Sequence, residues 1–487
     1  MDCIILRYAE IGLKSKRTKG FFEKKYLQAI KEALNRKKIE FSEIKNYGGR
    51  FVVLTPNEDA VYVLRNVPGI ESLSPAISGK FQDQEDLITK IKPLAEPLVK
   101  GKTFGVRVKK IGNHPFTSLE ISAKIADLIY GGSAGVNLTS PEVAIYIELR
   151  DKDFFVYTQT LKGIGGLSSA STGKVLVLFS GGIDSPVAAH SMLKRGCKCD
   201  FLLVNFSGDK NFSQVAKVYN FLINEYAFNY TPKFYLINGQ EIIEQIQQNV
   251  PDRLKQIALK INLYRLASEI AQEEGQEAIV TGEALSQKSS QTVQSLAVIS
   301  SQTTQLMLRP LLGMNKTEIV ELARKIGTLA ASEKVKEYCN LSSGPVNTSP
   351  KMSDIEKIPV QPELIRRAVK EKKYFNGLIK IELEPDLIPE ELACQITGKK
   401  PKPEIEFTTV DIRPKNLQEL SPLKMDISKP YPFILEEIDE FDKNKTYLII
   451  CDYGVRSEEV AYQLRKKGVK AAGITLNSYF KYSGKKN

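Results

Sequence analysis

Histidine is almost missing from this sequence: its 487 residues contain two, His114 and His190. Cysteine is scarce too, with six residues (Cys3, Cys197, Cys199, Cys339, Cys394 and Cys451) scattered along the whole length. That scatter excludes a secreted disulfide framework. It also leaves little to build a zinc site from. "CKC" at 197–199 has the wrong spacing for a zinc knuckle and reads as a turn entering a buried strand. No apolar run approaches the roughly 20 residues that a membrane-spanning helix needs. The opening "MDCIILRYAEIGLK" sets Asp2 and Arg7 about a short apolar run, the pattern of neither a secretory signal nor a transit peptide. A cytoplasmic protein with no membrane partner is expected.

What is present is ordinary for a globular chain, 42% hydrophobic and 26% charged, but too long for one core. The formal charge of +12 is uneven. Residues 1–50 hold 13 Lys/Arg against 6 Asp/Glu, so +7 of the excess lies in the first tenth of the chain. A single charge run is usually a solvated helix face. Here "LKSKRTKG", "EKK" and "NRKK" recur within one small segment, which points to a nucleic-acid backbone.

Hydrophobic periodicity predicts an α/β multidomain chain. Residues 1–75 read as strand, helix, strand, helix, strand, a ferredoxin-like α+β unit. Residues 76–165 repeat the alternation, with a helix opened by a Thr-Ser cap at 117–118 and a hairpin from "VAIYIELR" and "DFFVYTQT". The Gly/Ser-rich "LKGIGGLSSASTGK" at 161–174 reads as a linker. It lacks both the third glycine of a dinucleotide fingerprint and the spacing of a Walker A loop. Residues 174–350 carry short apolar strands separated by helices, the signature of a doubly wound parallel sheet. Residues 351–403, rich in Pro and charge, read as a connector long enough to let the last unit swing. Residues 404–487 restart as a small α/β unit.

The most informative stretch is "LVLFSGGIDSPVAAH" at 176–190. Ligands of open parallel sheets bind beyond the C-terminal strand ends. There Gly181 and Gly182 let the backbone approach closely, and the following helix offers free N–H groups and a positive dipole end. Ser180 and Ser185 add hydroxyls, and Asp184 can orient a metal ion. The bland alternative is a plain strand-to-helix turn; SGGxDS after a buried strand favours a phosphate cradle. A second loop, "CDYGVRS" at 451–457, follows the strand "TYLII". A cysteine at a helix N-terminus near an arginine is expected to have a lowered pKa, thiolate being the reactive form. The alternative is a buried core thiol.

The first loop resembles the PP-loop of ATP pyrophosphatases. It is followed in order by "LKRG", "AIVTGEALSQKSSQT", "LRPLLGMNKTEI" and "EYC". With "RYAEIGLKSKRTKGFFEK" and the THUMP-like "RVKKIGNHPFTSLEI" before it, the series is similar to the tRNA 4-thiouridine synthetase (tRNA sulfurtransferase) family over nearly the whole chain. The loop from Cys451 to Arg456 encloses four residues, as in rhodanese, where cysteine phosphatases have five. "VDIRP" at 410–414 looks like the rhodanese opening strand, with Asp411 and Arg413 supporting the fold.

The resemblance implies a ferredoxin-like domain at 1–75, a THUMP RNA-binding domain at 76–165, a PP-loop ATP pyrophosphatase domain at 174–350 and a rhodanese-like domain at 404–487. It implies ATP with Mg2+. Leu178 and Phe179 would offer backbone to the adenine, and Ser180, Gly181, Gly182, Asp184 and Ser185 would hold phosphates. Asn205 and Phe206 would flank the nucleotide; Lys260, Gly282 and Gln291 match further ATP-site positions, and Arg265 a phosphate or RNA contact. Lys316 matches a lysine that assists catalysis, preceded by Asn315 where the family usually has Asp. Cys451 would carry a persulfide, and Cys339 would be the second redox cysteine. The implied partners are tRNA, a cysteine desulfurase and a cellular reductant, with a homodimer left open. The implied reaction is ATP-dependent thiolation of uridine 8, and the family can also supply sulfur for the thiazole of thiamine. The alternatives are a PP-loop synthetase or amidotransferase acting on another substrate, and a non-catalytic RNA-binding protein.

Overall fold

The computed structural model describes residues 1–483 apart from 9, 207–208, 337–340, 343, 359–360, 381–406, 421–422, 424, 432 and 453. Cys339 and Cys394 therefore lie outside the described residues. The chain divides into two units, Met1–Ser168 and Ser169–Asn487.

In the first unit, β1 (Cys3–Arg7), α1 (Lys16–Arg36), β2 (Glu43–Asn46), β3 (Arg50–Leu54), α2 (Asp59–Arg65) and β4 (Ser72–Lys80) come first. They are followed by α3 (Gln84–Val99), β5 (Thr103–Ile111), α4 (Ser118–Ile129), β6 (Gly135–Val136), β7 (Val143–Arg150), β8 (Asp153–Tyr157) and β9 (Leu161–Lys162). The strands form one sheet in the order β2-β3-β1-β4-β8-β7-β5-β6, with β9 on β4. The expected boundary at 75/76 falls inside β4. Ser72–Ala76 pair antiparallel with β1, and Ile77–Lys80 pair antiparallel with β8. One strand thus serves two helix-covered halves.

Helix α1 buries Phe22, Tyr26, Ala29, Ile30, Ala33 and Leu34, a 3–4 spacing that turns its lysines outward. Helix α4 starts where the Thr-Ser cap was expected. Thr117 Oγ1 accepts from Glu120 N at 3.1 Å, and Glu120 accepts from Thr117 N at 2.6 Å. The Gly/Ser run after β8 is not a free linker. A Cβ on Gly163 would lie 2.1 Å from the Ile70 carbonyl oxygen, so glycine permits close backbone packing there. Ser168 Oγ donates to the Phe22 carbonyl at 2.9 Å.

The second unit opens with β10 (Lys174–Leu178), α5 (Asp184–Lys194), β11 (Lys198–Asn205), α6 (Asp209–Tyr226), β12 (Lys233–Asn238), α7 (Gln240–Asn249) and α8 (Lys255–Glu274). It continues with β13 (Ala278–Val280), α9 (Val293–Ser300), β14 (Leu306–Leu308), α10 (Lys316–Lys325), α11 (Leu329–Ser332), α12 (Pro362–Lys370) and β15 (Lys373–Asn376). The sheet order is β14-β13-β10-β11-β12-β15, parallel except for β15. From β10 the chain winds to one side and then returns to the other. The topological switch point therefore lies between the C-terminal ends of β10 and β13, where such sheets bind ligands.

Part of the expected connector at 351–403 belongs to this domain, which corrects that reading. Helix α12 buries Leu364, Ile365 and Val369, and β15 adds an antiparallel edge strand to β12. Asn220 then holds Ile379 through two 2.8 Å hydrogen bonds, one to its carbonyl and one from its N–H. Proline and charge misled because Pro362 sits in the first helical turn, where it is tolerated, and an edge strand carries charge without loss.

Beyond the undescribed 381–406, β16 (Phe407–Asp411), α13 (Lys415–Leu420), β17 (Ile427–Ser428), β18 (Thr446–Cys451), α14 (Val455–Lys466), β19 (Lys470–Thr475) and α15 (Leu476–Ser483) form a smaller α/β layer. Its strands are parallel, in the order β17-β16-β18-β19. Asp411 and Arg413, both buried, pair through Arg413 Nη2 at 2.7 Å, the supporting role expected of them. No helix among the described residues is long and apolar enough to cross a membrane.

Candidate active site

Strand β10 delivers Phe179 into the core and then reverses. Gly181 has φ +77, a left-handed conformation that favours glycine, and a Cβ there would press on Val215 at 3.0–3.1 Å. Ser185 Oγ accepts from Gly181 N at 3.1 Å and lies 3.3 Å from Ser180 Oγ, closing the loop over the N-terminus of α5. Asp184, the first residue of α5, is fixed on both oxygens. Lys316 Nζ donates to Oδ1 at 2.7 Å, and Gln287 Nε2 donates to Oδ2 at 3.1 Å. Lys316 opens α10, and Asn315 caps that helix by accepting from Glu318 N at 3.0 Å. The departure from Asp to Asn keeps the helix start that aims Lys316. Gly282, just past β13, would place a Cβ 3.0 Å from Asp184 C and Ser185 N, so a side chain there would push into the cradle.

Beside this loop lies a cavity of about 190 Å³. Of the residues expected at a nucleotide, Leu178, Phe179, Ser180, Asp184, Ser185, Phe206, Lys260, Gly282 and Gln291 line it. Gly181, Gly182 and Asn205 shape the loop and strand end without lining it, and Lys316 reaches it through Asp184. Arg265 does not line it: Nη2 donates to Gln302 at 2.6 Å. Sequence reading missed Gln256, Leu259 and Leu263, which with Lys260 form one face of α8, and also Asn211, Glu283, Lys288 and Lys336. The 3–4 spacing along α8 carried that signal; Glu283 and Lys336 had none. Among the described residues no cluster of three or more His, Cys, Asp or Glu is suited to a metal. Asp184 is the loop's carboxylate, able to share an ion that draws its other ligands from phosphates and water.

Cys451 ends β18 and sits in a cradle. Its Sγ accepts from Gly454 N at 3.2 Å and Ser457 N at 3.3 Å. The thiol lies 3.3 Å from Ser457 Oγ, which itself donates to the Ile474 carbonyl at 2.9 Å. The expected lowering of the Cys451 pKa is not found. Burial, with 5% of the residue exposed, pushes the thiol up, and the donated hydrogen bonds offset this only in part. The arginine that was to activate it points elsewhere. Arg456 pairs with Glu225 of α6 and lies over the rings of Tyr431 at 5.2 Å and Phe221 at 6.0 Å. Lys334 Nζ meets Glu458 of α14 at 2.9 Å, a second bond between the two sheets' domains. Cys3, Cys197 and Cys199 are buried free thiols pushed up by burial.

Gly454 has φ +79, and a Cβ there would lie 2.9 Å from Thr475 Cγ2. Gly454→Ala is expected to destabilise the cradle by about 1–2 kcal/mol. Faster hydrogen exchange at the first α14 amides measures this; unchanged exchange would contradict it.

On the face of the first unit's sheet opposite the core under α3 and α4, Arg7, Arg50 and Arg150 converge on Glu148 at 3.1, 3.6 and 3.1 Å. Burial pushes the Glu148 carboxyl up, but the arginines more than offset this and hold it below its ordinary range. Three cations against one anion leave the cluster net positive.

A glycine-rich turn between strand and helix, at the switch point of a parallel sheet and beside a cavity with lysines, defines a nucleotide domain of the ATP-pyrophosphatase class. Residues 170–364 match the family described as "Thiamine biosynthesis protein (ThiI)", residues 3–74 the ThiI ferredoxin-like domain and residues 81–159 the THUMP domain. The chain is 32% identical to a tRNA sulfurtransferase of Thermoplasma acidophilum over 478 residues, 98% of this chain and 95% of that one. It is 33% identical to that of Thermoplasma volcanium over 489 residues, 99% and 98% of the two chains. A crystal structure of a 4-thiouridine synthetase–RNA complex with bound ATP matches with a TM-score of 0.65 at 27% identity, over 77% of this chain and 100% of that one. The chain belongs to the ThiI family of tRNA sulfurtransferases.

Proposed function

We infer that this chain is an ATP-dependent tRNA sulfurtransferase that makes 4-thiouridine at position 8. The observation that carries the reading is the Gly181–Ser185 loop, with Asp184 held by Lys316 at the edge of the cavity. ATP occupies the cavity, with Asp184 available to a Mg2+ ion that accompanies its phosphates. The uridine O4 attacks the α-phosphate, pyrophosphate leaves, and C4 now carries AMP as a good leaving group.

The last α/β layer is read as rhodanese-like. A cysteine desulfurase loads Cys451 as a persulfide, and the cradle of N–H groups from Gly454 and Ser457 suits an anionic sulfur. The terminal sulfur attacks C4 and AMP departs. The Cys339 thiolate then attacks Cys451 Sγ, the S–S bond to the delivered sulfur breaks, and 4-thiouridine and a Cys339–Cys451 disulfide remain. A cellular reductant reopens that disulfide. The same persulfide can supply thiazole sulfur for thiamine.

The setting is cytoplasmic, and tRNA is held by residues 1–165, mainly through charge and shape. Binding should weaken steeply with salt, log K falling by roughly 0.7–0.9 per phosphate neutralised for each unit of log salt. A fragment of residues 169–487 that bound tRNA as tightly as the full chain would contradict this. The reading as a whole is tested by reconstitution with tRNA, ATP and a desulfurase, counting AMP and 4-thiouridine together.

A further inference from the structure

Glu283 lines the cavity, yet is only 1% exposed. Its two oxygens differ in what they hold. Oε2 accepts three hydrogen bonds, from the Tyr264 hydroxyl at 2.5 Å, the Thr281 hydroxyl at 2.9 Å and Arg309 Nε at 3.0 Å. Three donors on one oxygen fix the carboxylate plane. Arg309 is itself closed off by the Tyr264 hydroxyl at 3.1 Å and Ser300 Oγ at 2.6 Å. Oε1, by contrast, is buried without a hydrogen-bond partner among the described residues, and its ion-pair partner is the Lys260 ammonium 3.4 Å away. Burial pushes this carboxyl up, but Lys260, Tyr264 and Arg309 more than offset it, so the group is held as an anion.

A buried acceptor aimed at a cavity needs a donor. Lysine carries its charge on a flexible four-carbon stem and gains most from a fixed anchor. Arg309 serves the scaffold and Lys260 faces the ligand space; Glu283 joins the two.

We propose that Glu283 is a positioning residue: locked through Oε2, it presents Oε1 as the anchor that aims the Lys260 ammonium at the nucleotide phosphates. Negative charge gathers there as the bond between the α- and β-phosphates breaks, and a donor helps only if it is already in place. The proposal rests on the reading of the cavity as the ATP site.

The test is a double-mutant cycle in the full chain. It compares Glu283→Gln, Lys260→Ala and the double variant by kcat and KM for tRNA-dependent AMP formation. Affinity for α,β-methylene-ATP, which cannot be cleaved, is measured alongside. Glu283→Gln should lower kcat about 100-fold while KM and analogue affinity move by less than about threefold, a misplaced group rather than a lost binding contact. Glu283→Asp, which keeps the charge, should restore part of kcat. The double variant should be no slower than Lys260→Ala, because Glu283 acts through Lys260. If the two losses multiply, or if Glu283→Gln loses analogue binding with kcat intact, the positioning role is overturned. If Glu283→Gln does not fold, Glu283→Asp with and without Lys260→Ala decides by the same criterion. Full ATP turnover by Lys260→Ala would overturn the proposal, whereas failure of the wild-type chain to bind the analogue would remove the ATP-site reading itself.

Discussion

Cys451→Ser is expected to lower tRNA thiolation by at least roughly 10³-fold, the scale on which loss of a covalent nucleophile acts. AMP formation from ATP should persist. The serine hydroxyl can accept the same N–H groups of Gly454 and Ser457, so the cradle keeps its shape. What is lost is the ability to carry a second sulfur. In the proposed reaction adenylation precedes delivery and involves the other loop, so the two half-reactions should uncouple. Cys339→Ala should stop multiple turnover in reductant as well, whereas Cys3, Cys197 and Cys199 lie in core positions and Ala there should leave thiolation intact. Peptide mapping after a single turnover without reductant should recover a Cys339–Cys451 disulfide. Full thiolation with free thiols at both positions, or full activity of Cys339→Ala, would contradict the persulfide route.

Asp184→Ala is expected to reduce AMP formation by roughly 10²–10³-fold, comparable to removing one preorganised electrostatic group from a reaction centre. Asp184 orders two donors at once, Lys316 and Gln287, and it stands where the loop enters α5. Without it both donors lose their anchor, and on the proposed reading the nucleotide phosphates lose a carboxylate that could share their metal ion. Binding of tRNA should be nearly unchanged, since the positively charged segments lie in residues 1–165. Filter binding and thin-layer separation of AMP from ATP measure the two effects on one preparation. Normal thiolation by the variant would show the phosphate-site assignment to be wrong.

The strand, turn and helix at 174–194 were legible because an apolar strand running into SGG puts glycine where the backbone turns tightly, as Gly181 does with φ +77. The helical and apolar strand patterns of both units were legible for the same local reason. Strand β2 was not seen: "EIKN" is a polar edge strand without the alternation that burial imposes. Strand β15 was hidden by its charge, and the continuity of β4 by the fact that a single strand carries no sign of serving two partners. The lining of the cavity by α8 was masked by its resemblance to any amphipathic helix face. The direction of the Cys451 shift was missed because it is set by burial in the folded domain, not by the spacing of the loop. Arg456 finds Glu225, 231 residues earlier, and no local spacing announces that choice. Local rules reached the loops, while the burial and the ion-pair partners around them are tertiary.

The most direct measurement is nucleoside mass spectrometry of tRNA from cells lacking this protein, complemented with the wild-type chain or with Cys451→Ser. The function inferred here requires that 4-thiouridine disappear on deletion, return with the wild-type chain and stay absent with the variant. An unchanged level of 4-thiouridine in the deletion strain would contradict it.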